Sequence, residues 1–104
     1  MAGGYVYILT NKRNGTLYIG VTNDLVRRIW EHREERVESF TKRHSLKQLA
    51  YFEAHATMPL AIQREKQMKA WKRAWKLELI EQQNPDWDDL YPQLVESAPQ
   101  LSLG

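Results

Sequence analysis

Four groups of side chains in this sequence are of types that grip phosphate, move protons or hold a hard cation. Tyr5-Val6-Tyr7 and Tyr18-Ile19-Gly20 carry phenols, with eleven residues from Tyr7 to Tyr18. Arg28 comes ten residues after Tyr18, and His32 one helical turn later. Glu65 lies within Ala61-Ile62-Gln63-Arg64-Glu65-Lys66, and a basic, tryptophan-bearing segment follows it. Cysteine is absent, which removes thiolate metal sites and disulfides and fits a reducing compartment.

Glu65 is the most informative of these. On a helix it shares its side with Met58, Ala61, Ile62 and Met68, so a carboxylate sits on an apolar stripe. Such a group needs a counter-charge to offset lost hydration. A divalent cation would serve, and hard cations such as Mg²⁺ take oxygen ligands with few protein contacts. Lys69 or Lys72 on the same helix, or a core arginine, would serve equally. Arg28 has the geometry to bind phosphate oxygens bidentately and keeps its charge at any pH. It could also simply pair with Asp24 or Glu31. Singly, His32 reads as a structural histidine and Tyr7 and Tyr18 as ordinary strand residues. As a base, a tyrosine with an ordinary pKa of about 10 needs a nearby cation or arginine to lower it.

The elements that must position these residues are legible from local pattern. Tyr5–Thr10 and Thr16–Val21 are rich in β-branched and aromatic residues and flank Asn14-Gly15, which supplies positive φ angles for a turn. They predict a β-hairpin that brings Tyr7 near Tyr18. Asn23 or Asp24 caps a helix running to about Arg36, with Leu25, Val26, Ile29, Trp30, Arg33 and Val37 on its core face. Residues 38–46 lack periodicity and read as a loop, and Gln48–His55 as a third strand. Thr57 with Pro59 opens a helical stretch to about Gln83, bent near residues 70–72, and Asn84-Pro85 ends it. A short turn over Asp86–Tyr91 tucks Trp87 or Tyr91 back. Residues 1–91 are expected to form one domain, and 92–104 a mobile tail.

The chain of 104 residues has room for one core, with a soluble balance of 42% hydrophobic and 27% charged residues. No signal peptide or membrane-spanning run is visible, so the expected location is cytoplasmic. Net charge is only +2, but its distribution is uneven. Arg64, Lys66, Lys69, Lys72, Arg73 and Lys76 face a single acid, Glu65, across that stretch, whereas Asp86, Asp88, Asp89 and Glu96 gather near the C-terminus. A segregated basic segment suits a protein that meets phosphates, although a solvated helix face looks the same in sequence.

Taken together, the spacing of these motifs resembles the GIY-YIG nuclease signature. The likeness runs through Tyr5-Val6-Tyr7, Tyr18-Ile19-Gly20, Thr22–Arg28 and Glu31-His32, then Ala61–Lys69 and the ending Trp75-Lys76…Leu79-Ile80-Glu81…Asn84-Pro85-Asp86-Trp87. It covers roughly residues 4 to 91 and is strongest to short stand-alone bacterial members. It implies an α+β fold, a three-stranded antiparallel sheet flanked by helices. It implies an endonuclease that hydrolyses DNA phosphodiesters with Mg²⁺ or Mn²⁺ bound through Glu65, in a DNA repair or recombination setting. Tyr7 and Tyr18 would flank the scissile phosphate, one activating the attacking water, with Tyr7 preferred as the base. Arg28 would hold the phosphate and His32 would assist orientation or proton transfer. Lys66, Lys69, Lys72, Arg73 and Lys76 would bind nucleic acid.

Two departures from the family pattern stand out. The first half of the signature is Tyr-Val-Tyr behind Gly4, which keeps the second tyrosine in place. Val21 stands where some relatives carry a lysine or another polar residue, so His32 or His44 would have to supply any proton transfer made from there. Many relatives are fused to a DNA-binding domain; here target choice would come from the basic segment or a protein partner. The chain is expected to act as a monomer. The alternatives are a non-catalytic nucleic-acid-binding module and an interaction domain displaying Trp71, Trp75, Trp87 and Tyr91, residues expected instead in the core.

Overall fold

The computed structural model describes residues 2–36 and 40–96. Strands β1 (Gly4–Thr10), β2 (Leu17–Thr22) and β3 (Gln48–His55) form one antiparallel sheet in the order β2-β1-β3. Helices α1 (Leu25–Arg33), α2 (Phe40–Arg43), α3 (Met58–Lys69), α4 (Arg73–Gln83) and α5 (Tyr91–Glu96) complete an α+β fold.

Because β1 is central, its side chains are buried on both faces from Val6 to Thr10. Val6 and Ile8 pack with Ile19, Ala61, Met68, Ile80 and Trp87, whereas Tyr7 and Leu9 pack with Leu25, Ile29, Leu46 and Leu49. Ile8 and Leu9 are fully buried on opposite faces, each contributing about 1.5–3 kcal/mol on leaving water. A slip of one residue would exchange the two sets, so the same packing that stabilises β1 fixes the side on which Tyr7 emerges.

The hairpin forms as its sequence predicts, with one difference in the turn. Asn14 alone takes a positive φ, 58°. Gly15 does not; a Cβ there would run into the Asn11 side chain, whose Oδ1 accepts from Thr16 N at 3.1 Å. Glycine is needed for room, not for handedness.

Helix α1 is capped by Asp24, which accepts from Arg27 N, but it ends at Arg33, short of the expected Arg36. Glu35 adopts φ 55°, its N–H donates to His32 O, and Arg36 N donates to Glu31 O. This is a Schellman closure, which stops the helix regardless of the polar pattern beyond. Leu25 and Ile29 face the core as expected, but Trp30 does not. It is 41% exposed, and the Arg36 guanidinium lies 5.0 Å from its ring. Val37 lies outside the described residues.

The segment read as a loop carries α2, closed the same way, with Ser45 at φ 56° and Leu46 N donating to Thr41 O. Fully buried Leu46 anchors it. Residues 38 and 39 lie outside the described set.

Thr57 caps α3 through Leu60 N, with Pro59 in the first turn, and the helix breaks at Ala70–Lys72 where a bend is predicted. Asn84 ends α4, and its side chain donates to Ala50 O and Asp88 O. Trp87 tucks in, its Nε1 donating to Glu81 at 2.8 Å. The expectation that all four aromatics are core fails at Trp75, which is 51% exposed beneath Lys72 Nζ. Trp71 and Tyr91 are half-buried and Trp87 is buried, so the four do not form one exposed patch. Past residue 91 the chain continues as α5, whose Leu94 packs on the Tyr7 face; residues 97–104 lie outside the described set. No helix among the described residues is long and apolar enough to cross a membrane.

Candidate active site

The site is built where the edge strand β2 meets α1 and α3. In the β1–β2 register Tyr7 lies opposite Gly20 and Leu9 opposite Tyr18, so the two phenols share a face on a diagonal, ring centroids 6.4 Å apart. A Cβ at Gly20 would collide with the outer end of the Tyr7 ring, so only glycine lets that phenol lie across β2. From α1, Leu25, Ile29 and His32 point inward, which brings His32 to 4% exposure with its ring centroid 5.8 Å from Tyr7 and 5.7 Å from Tyr18. Arg28, one turn earlier, reaches the same opening. From the other face of the sheet, α3 buries Ala61 and Met68 and turns Glu65 toward the strand edge. The result is a cleft of about 260 Å³ lined by Tyr7, Tyr18, Gly20, Val21, Arg28, His32 and Glu65. A second hollow, lined by Thr22, Asn23, Asp24, Arg27, Arg28 and Glu31, shares Arg28 with it.

The electrostatics keep the two central groups neutral. Tyr7 Oη and His32 Nε2 are hydrogen-bonded at 3.0 Å, and His32 Nδ1 lies 2.9 Å from Thr41 Oγ1. Burial, reinforced by the Arg28 charge and opposed by Glu31, lowers the His32 pKa to about 4. Burial also pushes the Tyr7 phenol well above its ordinary value; Tyr18, Glu65 and Glu31 add to the rise and Arg28 opposes it. Arg28 pairs loosely with Glu31 at 3.4 Å and its side chain is 40% exposed, so it remains accessible to an anion. Glu65 pairs with Lys69 at 3.2 Å while its side chain is only 14% exposed. Glu65 therefore has a lysine partner and also faces the cleft.

All five residues singled out for chemistry, Tyr7, Tyr18, Arg28, His32 and Glu65, line this one cleft. His44 does not; it is exposed and stacks on Phe40 at 4.1 Å. The basic segment lies outside the cleft lining and is unevenly committed. Lys66 is exposed, Lys69 pairs with Glu65, and Lys72 covers Trp75. Lys76 reaches Lys69 O only at 3.5 Å. Arg73 donates to Asn14 O and Gly15 O at 2.7 and 2.6 Å, tying α4 to the hairpin turn.

Two supporting features carry no signal in the sequence. One is Thr41, because the segment around it has no periodicity to mark an inward face. The other is Glu53 on β3, which Tyr51, His55 and Arg64 all contact. Burial alone would raise the Glu53 pKa, but hydrogen bonds from these three outweigh it and hold the carboxyl below its ordinary value. The network fastens α3 to β3 one residue before Glu65.

Among the described residues, no three His, Asp or Glu side chains converge as a ready metal cage. The cleft offers one carboxylate, Glu65, among phenol oxygens. That donor set fits Mg²⁺ or Mn²⁺ held by a single carboxylate with water completing the shell, because Mg²⁺ sheds water reluctantly.

Comparison with known proteins supplies a matching family. The family model of the GIY-YIG catalytic domain matches residues 3–78. A UPF0213 protein of Bacillus pumilus is 36% identical over 78 residues, covering 75% of this chain and 79% of the relative. A UPF0213 protein of Staphylococcus saprophyticus is 37% identical over 76 residues, covering 73% and 92%. The solution NMR structure of a UPF0213 protein from Bacillus halodurans superposes with TM-score 0.53 at 28% identity, covering 83% of this chain and 90% of that one.

Proposed function

Because this chain belongs to the GIY-YIG catalytic domain family, a nuclease family, we propose that it is a metal-dependent endonuclease hydrolysing DNA phosphodiester bonds. The observation that carries this reading is the convergence of Tyr7, Tyr18, Arg28, His32 and Glu65 on one cleft at the β2 edge.

In this reading the scissile phosphate enters between Arg28 and Glu65. Arg28 leaves its loose contact with Glu31 and donates to two phosphate oxygens, stabilising charge that grows toward the pentavalent transition state. Glu65 would hold Mg²⁺ or Mn²⁺, which when bound supplies further positive charge to the phosphate. Tyr7 orients the attacking water and receives its proton while passing its own to His32 Nε2, 3.0 Å away. The relay needs a neutral His32, which burial beside Arg28 supplies, and phosphate bound to Arg28 would offset the positive charge that otherwise opposes the imidazolium. Tyr18 flanks the phosphate on the solvent side. Lys66, Lys69, Lys72, Arg73 and Lys76 contact the DNA backbone outside the cleft, although the hydrogen bonds of Arg73 to the hairpin turn reduce its share.

The test is incubation of plasmid, single-stranded and branched DNA with the protein in Mg²⁺ or Mn²⁺, and with chelator as control. Cleavage abolished by chelator is expected. No cleavage of any substrate by folded protein would replace the enzyme reading with that of a nucleic-acid-binding module, with or without a protein partner.

A further inference from the structure

We propose that Thr41 is a positioning residue that fixes the tautomer of His32, so that Nε2 meets Tyr7 as a bare acceptor. The catalytic consequence rests on the hydrolytic reading above, but the tautomer assignment does not.

A neutral imidazole carries one N–H, and two arrangements are available between Thr41 and Tyr7. Either Tyr7 O–H donates to Nε2 and Nδ1–H donates to Thr41 Oγ1, or Thr41 O–H donates to Nδ1 and Nε2–H donates to Tyr7 Oη. The second leaves the Tyr7 proton needing another acceptor. Among the described residues the Tyr7 hydroxyl has no hydrogen-bond partner other than His32, and the whole side chain is 2% exposed. A threonine hydroxyl can accept from Nδ1–H and keep its own proton, and only the first arrangement aims the Tyr7 proton at Nε2 while leaving an Oη lone pair for the proton of the attacking water.

The fold holds Thr41 in place for this. Thr41 is 2% exposed on α2, and its carbonyl accepts from the N–H of Leu46. Leu46 is fully buried in the same cluster as Tyr7 and Ile29, so α2 is clamped against the His32 side of α1. With Nδ1 committed to Thr41, the lone pair of Nε2 points at the phenol. When water gives a proton to Tyr7 Oη, the phenol proton moves to Nε2; one proton leaves water and one arrives on His32. Thr41 Oγ1 then faces the Nδ1–H of the resulting imidazolium, where a hydrogen-bond acceptor stabilises the charge.

The experiment is long-range ¹H–¹⁵N NMR of the His32 imidazole in wild type, Thr41→Val and Thr41→Ser, read beside their cleavage kinetics. Wild type should show protonated Nδ1 and bare Nε2. Thr41→Val, close in shape but without the acceptor, should shift the population toward protonated Nε2 and lower kcat by about tenfold or more with KM little changed. Thr41→Ser should restore both. A protonated Nε2 in wild type overturns the proposal, and needs no variant to fold. So does an unchanged tautomer in folded Thr41→Val. The expected tautomers without cleavage by wild type would support the positioning contact and count against the hydrolytic reading instead.

Discussion

Replacing Gly20 by alanine tests the geometry of the cleft at its tightest point. The added methyl would fall onto Cζ, Oη and Cε2 of Tyr7, and the ring is rigid and 2% exposed. It can yield only by pressing into Leu25, Ile29 and Leu49 or by bending β2 away. Overpacking of this kind costs about 1–3 kcal/mol. Loss of the Tyr7–His32 hydrogen bond adds about 1 kcal/mol. Removing glycine from a strand returns roughly 0.5–1 kcal/mol of backbone entropy. The net destabilisation should be about 1–3 kcal/mol, or a Tm lowered by roughly 5–15 °C for a domain near this size. Urea denaturation would measure the first and thermal unfolding the second. Cleavage should fall about a hundredfold if the phenol shifts by about 1 Å. Gly20→Ala should cost little stability in a Tyr7→Ala background, since the ring it strikes is gone. An alanine variant as stable and active as wild type, or one equally damaged without Tyr7, would refute the packing argument.

Other predictions follow from the same geometry. Arg28→Ala should lower kcat by about 10²–10³ with modest loss of stability, and Arg28→Lys should recover little because a lysine cannot bridge two oxygens; normal turnover in either variant would remove Arg28 from the phosphate. His32 should titrate near 4 by NMR, not near 6.5. Because the folded state binds this proton more weakly than the unfolded chain, its contribution to stability is full above about 6.5 and lost as pH falls through 4. A midpoint near 6.5 would contradict its burial beside Arg28. DNA affinity should fall with salt at a log–log slope of about −2.7 to −4.5, from three to five phosphate contacts at about −0.9 each. A flat response would free Lys66, Lys69, Lys72, Arg73 and Lys76 from that role.

Much of the framework was legible in sequence because it rests on local rules. β-Branched and aromatic runs around Asn14-Gly15 marked the hairpin, and Thr57 with Pro59 marked the start of α3. The apolar stripe through Ala61 and Met68 turned Glu65 toward the sheet edge. What escaped depends on contacts and backbone conformations that periodicity does not encode. Periodicity marks apolar residues without saying whether anything covers them, so Trp30 and Trp75 read as core although cations from Arg36 and Lys72 cover their rings instead. The early end of α1 follows from Glu35 adopting a left-handed conformation, which a glutamate does not advertise. Thr41 was invisible because its value lies in a partner nine residues away, across a break between helices. Glu65 shows the opposite limit. Sequence offered a lysine or a metal as its partner, and the fold provides Lys69 while leaving the carboxylate facing the cleft.

The measurement that bears most directly on the central claim is a Mg²⁺ titration of DNA cleavage by wild type, Glu65→Gln and Glu65→Ala, with folding verified by circular dichroism. Wild type should cleave DNA only with the metal present. Both variants should fold but lose cleavage at every Mg²⁺ concentration, because neither retains the anionic carboxylate. Cleavage by Glu65→Ala at the wild-type rate and with the same Mg²⁺ dependence would contradict the claim, and would place any metal somewhere other than this cleft.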